Sequence, residues 1–281
     1  MDRQLRRAIL SRGMNIQHAE AGDQLITKNL RTCDSIDQFY NDLHRYSFRL
    51  FLRDLLEFQP ILSLTDLTHY CSPGAARRYL RNLQNLGIIR ERDNEQFELL
   101  VDFVPNFGET LEWYLSEILR REFDAPASYR VVLKNGGVGG DYDVLALIND
   151  KLLYVEVKSS PPKAVDNAQV KNFLSRIRDL LPDLAFFFED THLRMKDKIV
   201  RLFEEELARR YGRFAGESFP IVRLKDELFH INHCVYIVNS KRGTARNFRI
   251  CIRDALEYQL KRSGMPLSPG LTGETNGTQN S

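Results

Sequence analysis

The sequence predicts an α/β chain in which a mixed central sheet is flanked by helices, with a smaller, mainly helical unit in front of it. Three observations carry that expectation. Beyond residue 105, strand-like and helix-like runs alternate, and such alternation builds a sheet with helices on its faces. Between residues 35 and 104, three helical patterns precede two short strand-like runs. The 281 residues are 43% hydrophobic, enough for one large or two modest cores.

Residues 1–34 are polar and weakly patterned and read as an N-terminal extension. Ser35 can cap a helix over 35–57, with Phe39, Leu43, Phe48, Phe51 and Leu55 among its apolar positions. Pro60 ends it. A short second helix passes through Thr65, Asp66 and Leu67. Ser72-Pro73 then supplies N-cap and first position of a third helix, closed by Gly87. Strands over 88–92 and 96–100 surround the turn Asp93-Asn94-Glu95. This order, over 35–104, is that of a winged helix-turn-helix. In its third helix Ala76, Leu80, Leu83 and Leu86 form an inward stripe. Arg77, Arg78 and Arg81 are left outside, where they face either solvent or a DNA groove. The stretch 90–96 opposes the DNA reading with three acids against two arginines.

The second domain, 105–262, opens with a helix over 108–122 and a strand over 129–133. The loop Gly136-Gly137-Val138-Gly139-Gly140 lacks the Gly-Lys-Ser/Thr ending of a phosphate loop and leads into a strand, so it reads as a flexible entry. Strands over 141–148 and 152–158 form a hairpin. A helix over 166–181, a strand over 184–188, a helix over 195–211, a strand over 234–238 and a helix over 244–260 complete the domain. The Gly, Ser, Thr and Asn tail, 263–281, has the composition of a disordered segment.

Composition narrows the function classes. Lys plus Arg number 40 against 38 Asp plus Glu, a net charge of +2, so only local clustering can argue for a polyanionic partner. Cys33, Cys71, Cys234 and Cys251 form no CxxC pair, which suits free thiols in a reducing cytoplasm. His230, His233 and Cys234 do not read as a zinc cluster, because on a strand His230 and His233 face opposite ways. No segment approaches the roughly 20 apolar residues of a membrane span. The expectation is a cytoplasmic protein without a membrane partner.

The hairpin carries the chemistry. If Asn149-Asp150 is a two-residue turn, Ile148 opposes Lys151, Asp143 opposes Glu156 and Asp141 opposes Lys158. Glu156 and Lys158 share a face with Leu152 and Tyr154. Like charges directly opposite each other destabilise a sheet, and these strands are too apolar to be solvated, so a cation is expected between the acids. Asp143, Glu156 and the carbonyl of Val157 make a hard-oxygen site suited to Mg²⁺. Lys158 is placed to orient or deprotonate an attacking water. A charged structural hairpin without catalysis is the alternative.

Gly-Asp-Tyr-Asp-Val at 140–144 with Tyr-Val-Glu-Val-Lys-Ser at 154–159 resembles the active-site hairpin of the PD-(D/E)XK nuclease superfamily, which includes restriction endonucleases and archaeal Holliday-junction resolvases. The resemblance covers roughly 106–240. It implies a restriction-endonuclease-like fold, metal ligation by Asp143, Glu156 and the Val157 main chain, and a nucleophile positioned by Lys158. The family often adds a helical Glu, for which Glu112 stands in the matching place, and sometimes a Gln on the helix after the hairpin, for which Gln169 is the candidate. Tyr142 replaces the family's proline, which removes no ligand. The resemblance further implies a Mg²⁺- or Mn²⁺-dependent endonuclease acting on DNA, with RNA left open, and a homodimer if both strands of a duplex are cut. The rival classes are a catalytically inactive DNA-binding or regulatory winged-helix protein and a protein-interaction adaptor.

Overall fold

The longest runs of buried apolar side chains fall in three strands, β6 (Asp141–Ile148), β7 (Lys151–Lys158) and β8 (Leu184–Glu189). Strands covered on both faces read this way, and the three lie side by side at the centre of an eight-stranded sheet. The structure, a computed structural model, describes residues 1–264 apart from 21–24, 93–94, 102, 135–136, 138 and 160. The tail from 265, the turn residues Asp93 and Asn94, and Gly136 and Val138 of the glycine loop lie outside the described residues.

The other elements are α1 (Arg3–Leu10), β1 (Ile16–His18), α2 (Cys33–Leu43), α3 (Tyr46–Glu57), β2 (Ile61–Ser63), α4 (Pro73–Asn85), β3 (Ile89–Glu91), β4 (Gln96–Leu99), α5 (Gly108–Phe123) and β5 (Ala127–Leu133). After the hairpin come α6 (Asn167–Leu180), α7 (Arg201–Tyr211), α8 (Ala215–Ser218), β9 (Ile221–Lys225), β10 (Leu228–Ile231), β11 (Val235–Asn239) and α9 (Thr244–Arg262). The large sheet runs β1-β5-β6-β7-β8-β11-β10-β9, parallel at β7–β8 and β8–β11 and antiparallel elsewhere. A small sheet runs β2-β4-β3. The protein is thus α/β, with a large mixed sheet flanked by helices.

Each face of the sheet has its own core. On one, Leu115 of α5 and Phe248 of α9 cover Phe186 and Tyr236, and Phe39, Phe51, Leu80 and Phe97 of the small unit join the same core without a break. On the other, Leu5 and Ile9 of α1, Phe173 of α6 and Phe203 of α7 cover Tyr154 and Phe187. The sheet's margins are a three-residue strand, β1, and the charged β9, where Val222, Arg223 and Lys225 are exposed. Among the described residues no helix is long and apolar enough to cross a membrane.

Several elements depart from the sequence expectation. Residues 3–18, for which the sequence showed only weak patterning, form α1, which buries Leu5 and Ile9 completely, and β1, which pairs with β5. Two apolar residues four apart form a helical stripe too short to stand out in sequence. The helix expected over 35–57 is two helices. Thr32, rather than Ser35, is the N-cap of α2, with Ser35 completing its capping box. The chain then breaks at Arg45, which is extended (φ −83°, ψ 117°). Arg49 Nη1 of α3 donates to Leu43 O at 2.6 Å, filling a carbonyl that the end of α2 exposes. Thr65–Leu67 forms only a 3₁₀ turn. The helix expected over 195–211 opens with a π-helical turn, Lys196–Val200. The pair β9–β10 has no counterpart in the sequence reading, since its strands are short and its outer member is largely polar.

The β6–β7 hairpin matches its expectation. Asn149 and Asp150 are both left-handed (φ 48° and 62°), as a type I′ turn requires, and rungs run from Ile148–Lys151 to Val144–Val155. Neither the expected rung of Asp143 with Glu156 nor that of Asp141 with Lys158 forms. Asp143 Oδ2 accepts the Val157 N–H at 2.6 Å, the donor that this register would send to Tyr142, and the ladder opens there.

Candidate functional site

The opened end of the hairpin brings the predicted acids together. Tyr154, Glu156 and Lys158 alternate onto one face of β7, and Glu156 is 3% exposed. Its Oε1 accepts from Lys158 Nζ at 2.8 Å, and its Oε2 accepts from Arg176 Nη1 at 3.0 Å and from the Tyr154 hydroxyl. Asp143 is 9% exposed and held by the Val157 N–H. Burial, reinforced by the charge of Glu156, pushes the Asp143 carboxyl well above its usual range, although Lys158 and the Val157 N–H act the other way. Burial also works against the charge of Lys158, but Glu156 and Asp143 outweigh it and hold its pKa above the ordinary lysine value.

Glu112 approaches from α5. Together with Glu109, Arg130 and Asp141 it lines a cleft of about 190 Å³. Its Oε2 is sealed from solvent without a hydrogen-bond partner. Burial, with the charges of Asp143 and Asp141 added, pushes its pKa up to about 10. At the rim Arg130 joins Glu109 at 2.7 Å to Asp141 at 3.4 Å. Arg130 is left-handed (φ 48°), beside the rung where Asp143 would meet β5. The buried side chains of β5 change sides there: Ala127 and Tyr129 belong to one core, Val131 and Leu133 to the other. Strain in a non-glycine backbone thus sits against the acid cluster.

This donor set fits a hard divalent cation. Of three carboxyls, Asp143 and Glu156 are buried and Glu112 has an orphaned oxygen, and Asp143 and Glu112 are driven towards protonation; a cation would supply positive charge here while displacing protons. Asp143, Glu156 and the Val157 main chain, with Glu112 beside them, are the groups that would hold Mg²⁺ or Mn²⁺.

Other predicted residues are placed elsewhere. Gln169 Oε1 accepts from Asp166 N at 3.1 Å in the capping box of α6, and no hydrogen bond joins it to the acids. Arg77, Arg78 and Arg81 are exposed on α4. Arg77 Nη2 lies 2.9 Å from Glu95 Oε1, and Arg78 lies over the Tyr79 ring.

Sequence reasoning missed Arg176 and Glu189. Arg176 lies one turn from Phe173 on the sheet-facing side of α6, so an arginine beside an apolar stripe was its only signal. Its Nε is buried and unbonded. Glu189 pairs with Lys158 across the parallel β7–β8 ladder, a register no sequence pattern reveals. It is fully buried with neither carboxylate oxygen hydrogen-bonded. Burial pushes it up to about 9, with Arg53 and Lys158 pulling down and Asp190 pushing up. The next residue, Asp190, is equally buried but paired: Arg49 Nη2 and Arg53 Nη2 each donate to it at 2.7 Å. Its N–H donates to Lys158 O at 2.9 Å, which ties α3 to the end of β7. A larger cavity, about 750 Å³, lies between α6, α7 and the β10–β11 turn, and no acid lines it.

Fold and site together define an α/β protein that carries a buried acid–lysine cluster in its central hairpin. No protein-family model matches the chain, and no curated protein matches it. Among solved structures, it is similar to Can2 from Sulfobacillus thermosulfidooxidans, determined in complex with cyclic tetra-adenylate, at a TM-score of 0.43 and 15% identity over 72% of this chain and 55% of that one. It is also similar to protein VC1899 from Vibrio cholerae, at a TM-score of 0.40 and 16% identity over 94% of this chain and 58% of that one. The chain spans a little over half the length of either.

Proposed function

We propose that this chain is a metal-dependent endonuclease of the PD-(D/E)XK kind that hydrolyses phosphodiester bonds, in DNA first of all, and that residues 35–104 act as a winged-helix DNA-binding unit. The observation that carries the reading is that Asp143 interacts electrostatically with Glu156 across the hairpin and with Glu112 of α5, with the Lys158 ammonium 2.8 Å from Glu156. When bound, Mg²⁺ or Mn²⁺ supplies charge neutralisation at the phosphate and acidifies water at the site.

The protein's own groups do the rest. Lys158 offers an ammonium with donors beyond the one given to Glu156, suited to orienting the attacking water. Arg176 holds Glu156 through Nη1 and brings a second fixed positive charge to the site. Burial of the cluster on both sides strengthens each of these electrostatic contacts. Arg78 and Arg81 contact the DNA backbone, and a duplex cut on both strands calls for two copies of the chain.

One observation favours a second reading, a catalytically inactive DNA-binding or regulatory protein: Tyr154, Lys158 and Arg176 already satisfy Glu156 without an ion. The test is cleavage of plasmid, single-stranded and branched DNA, and of RNA, with Mg²⁺, Mn²⁺ or EDTA, comparing wild type with Glu156→Ala and Lys158→Ala. Metal-dependent cutting lost in both variants supports the nuclease. DNA retention without cutting under any metal supports the second reading.

A further inference from the structure

His230 and His233 do not face opposite ways. β10 ends at Ile231, and both Asn232 and His233 are left-handed (φ 51° and 53°). This tight reversal folds His233 back over His230, with the two rings stacked at 3.9 Å between centroids. On β10, His230 points to the face covered by α9, and Asp254 comes down from α9 to meet the pair: its Oδ2 lies 2.8 Å from His233 Nδ1. One nitrogen from each imidazole and one Asp254 oxygen all lie within 4.8 Å of one another.

Two surrounding contacts give this group the form of a cation site. The Tyr236 hydroxyl donates to Asp254 Oδ2 at 2.7 Å and fixes the carboxylate, the kind of outer contact that orients metal ligands. Tyr258, one turn on from Asp254, stacks on His233 at 4.2 Å and holds its ring between two others. His230 Nδ1 makes only a long, 3.3 Å contact with the His233 N–H, which a ligand bond can replace.

We propose that His230, His233 and Asp254 bind a zinc-class divalent cation, a site separate from the acid cluster and independent of the nuclease reading. Two imidazole nitrogens and one carboxylate oxygen are a borderline donor set, suited to Zn²⁺, Co²⁺ or Ni²⁺ rather than Mg²⁺. Binding replaces the hydrogen bond between His233 and Asp254, the imidazole proton moving to the other ring nitrogen, and three protein ligands leave a coordination position for water. The ion would clamp α9 to the β10–β11 turn. The two sites sit at opposite ends of the sheet: β11 runs parallel to β8, the histidines precede its first residue, and Glu156, Lys158 and Glu189 lie at the far ends of β7 and β8.

The experiment uses the full chain, stripped with EDTA and titrated with ZnCl₂ by calorimetry, while the imidazole resonances of all six histidines are followed by NMR. Expected are saturable zinc uptake and selective shifts of His230 and His233. Tyr236→Phe should weaken zinc at this site about 10-fold, His233→Ala and Asp254→Asn should abolish the zinc-dependent shift of His230, and Glu156→Ala should leave that shift unchanged. Zinc that shifts neither histidine in the wild type overturns the proposal, whatever the variants do. So does a zinc-dependent His230 shift that survives His233→Ala or disappears with Glu156→Ala.

Discussion

Glu112 makes the metal-free protein weaker as pH rises, and Glu112→Gln should remove that weakness. In the unfolded chain its carboxyl ionises at the ordinary value of 4.5, whereas in the folded protein it holds its proton to about 10. Between those values the folded state binds more protons than the unfolded one, so its stability falls with rising pH, by ~1.4 kcal/mol per unit for this group. From pH 6 to pH 8 the loss is about 3 kcal/mol. Gln keeps the shape and cannot ionise, so the slope should shrink by that amount, leaving the share due to Asp143. Urea unfolding in EDTA at several pH values reads both slopes directly. Adding Mg²⁺ to the wild type at pH 8 should restore much of the loss, because an ion that binds only the folded form stabilises it. Parallel pH curves for wild type and Glu112→Gln would refute the reasoning, for they would mean that Glu112 is ionised in the folded protein.

Three further outcomes rest on the same geometry. Arg176→Ala removes a cation that competes for Glu156, so the Mg²⁺ concentration for half-maximal cleavage should fall while kcat drops on the order of 10²-fold; a Mg²⁺ titration of cleavage at saturating DNA separates the two. Arg49→Met leaves Asp190 buried with Arg53 as its remaining guanidinium and should cost about 3–5 kcal/mol in urea unfolding at pH 7. Burial works against the Asp190 charge, but Arg49 and Arg53 hold its pKa below the ordinary 3.8, so this penalty should persist above that value and fade as pH falls beneath it. Arg78→Ala and Arg81→Ala should each lower the salt dependence of DNA binding by about 0.9 per lost phosphate contact, with Arg77→Ala doing less because Glu95 already holds that guanidinium; filter binding across a salt series measures the slopes.

The hairpin was legible in the sequence because its determinants are local. Asn149-Asp150 tolerates left-handed backbone, and a two-residue turn fixes the rungs as far as Val144–Val155, so spacing alone put Asp143 near Glu156, while the side chain that opens the ladder there was not legible. Glu112 was legible only through the resemblance. What stayed hidden depends on contacts between distant segments. The partnership of Glu189 with Lys158 needs the β7–β8 register. Arg176 looks like any helical arginine until α6 is laid on β7. The break at Arg45 answers to the buried Arg49–Asp190 pair. His233 is the sharpest case, since strand periodicity assigned its face and two left-handed residues reversed it. Residues 1–34 show the same limit: α1 and β1 have too little apolar pattern to announce themselves and are fixed by the sheet they complete.

The two margins of the large sheet set terms for assembly. A strand at an open edge can recruit a second chain through its unpaired backbone. Here one edge offers three residues and the other carries Arg223 and Lys225 into solvent. Both are poor templates for extension of the ladder into a neighbouring copy. Two copies acting on opposite strands of a duplex would therefore have to meet through helices and loops, and their separation would be set by those surfaces rather than by a shared sheet.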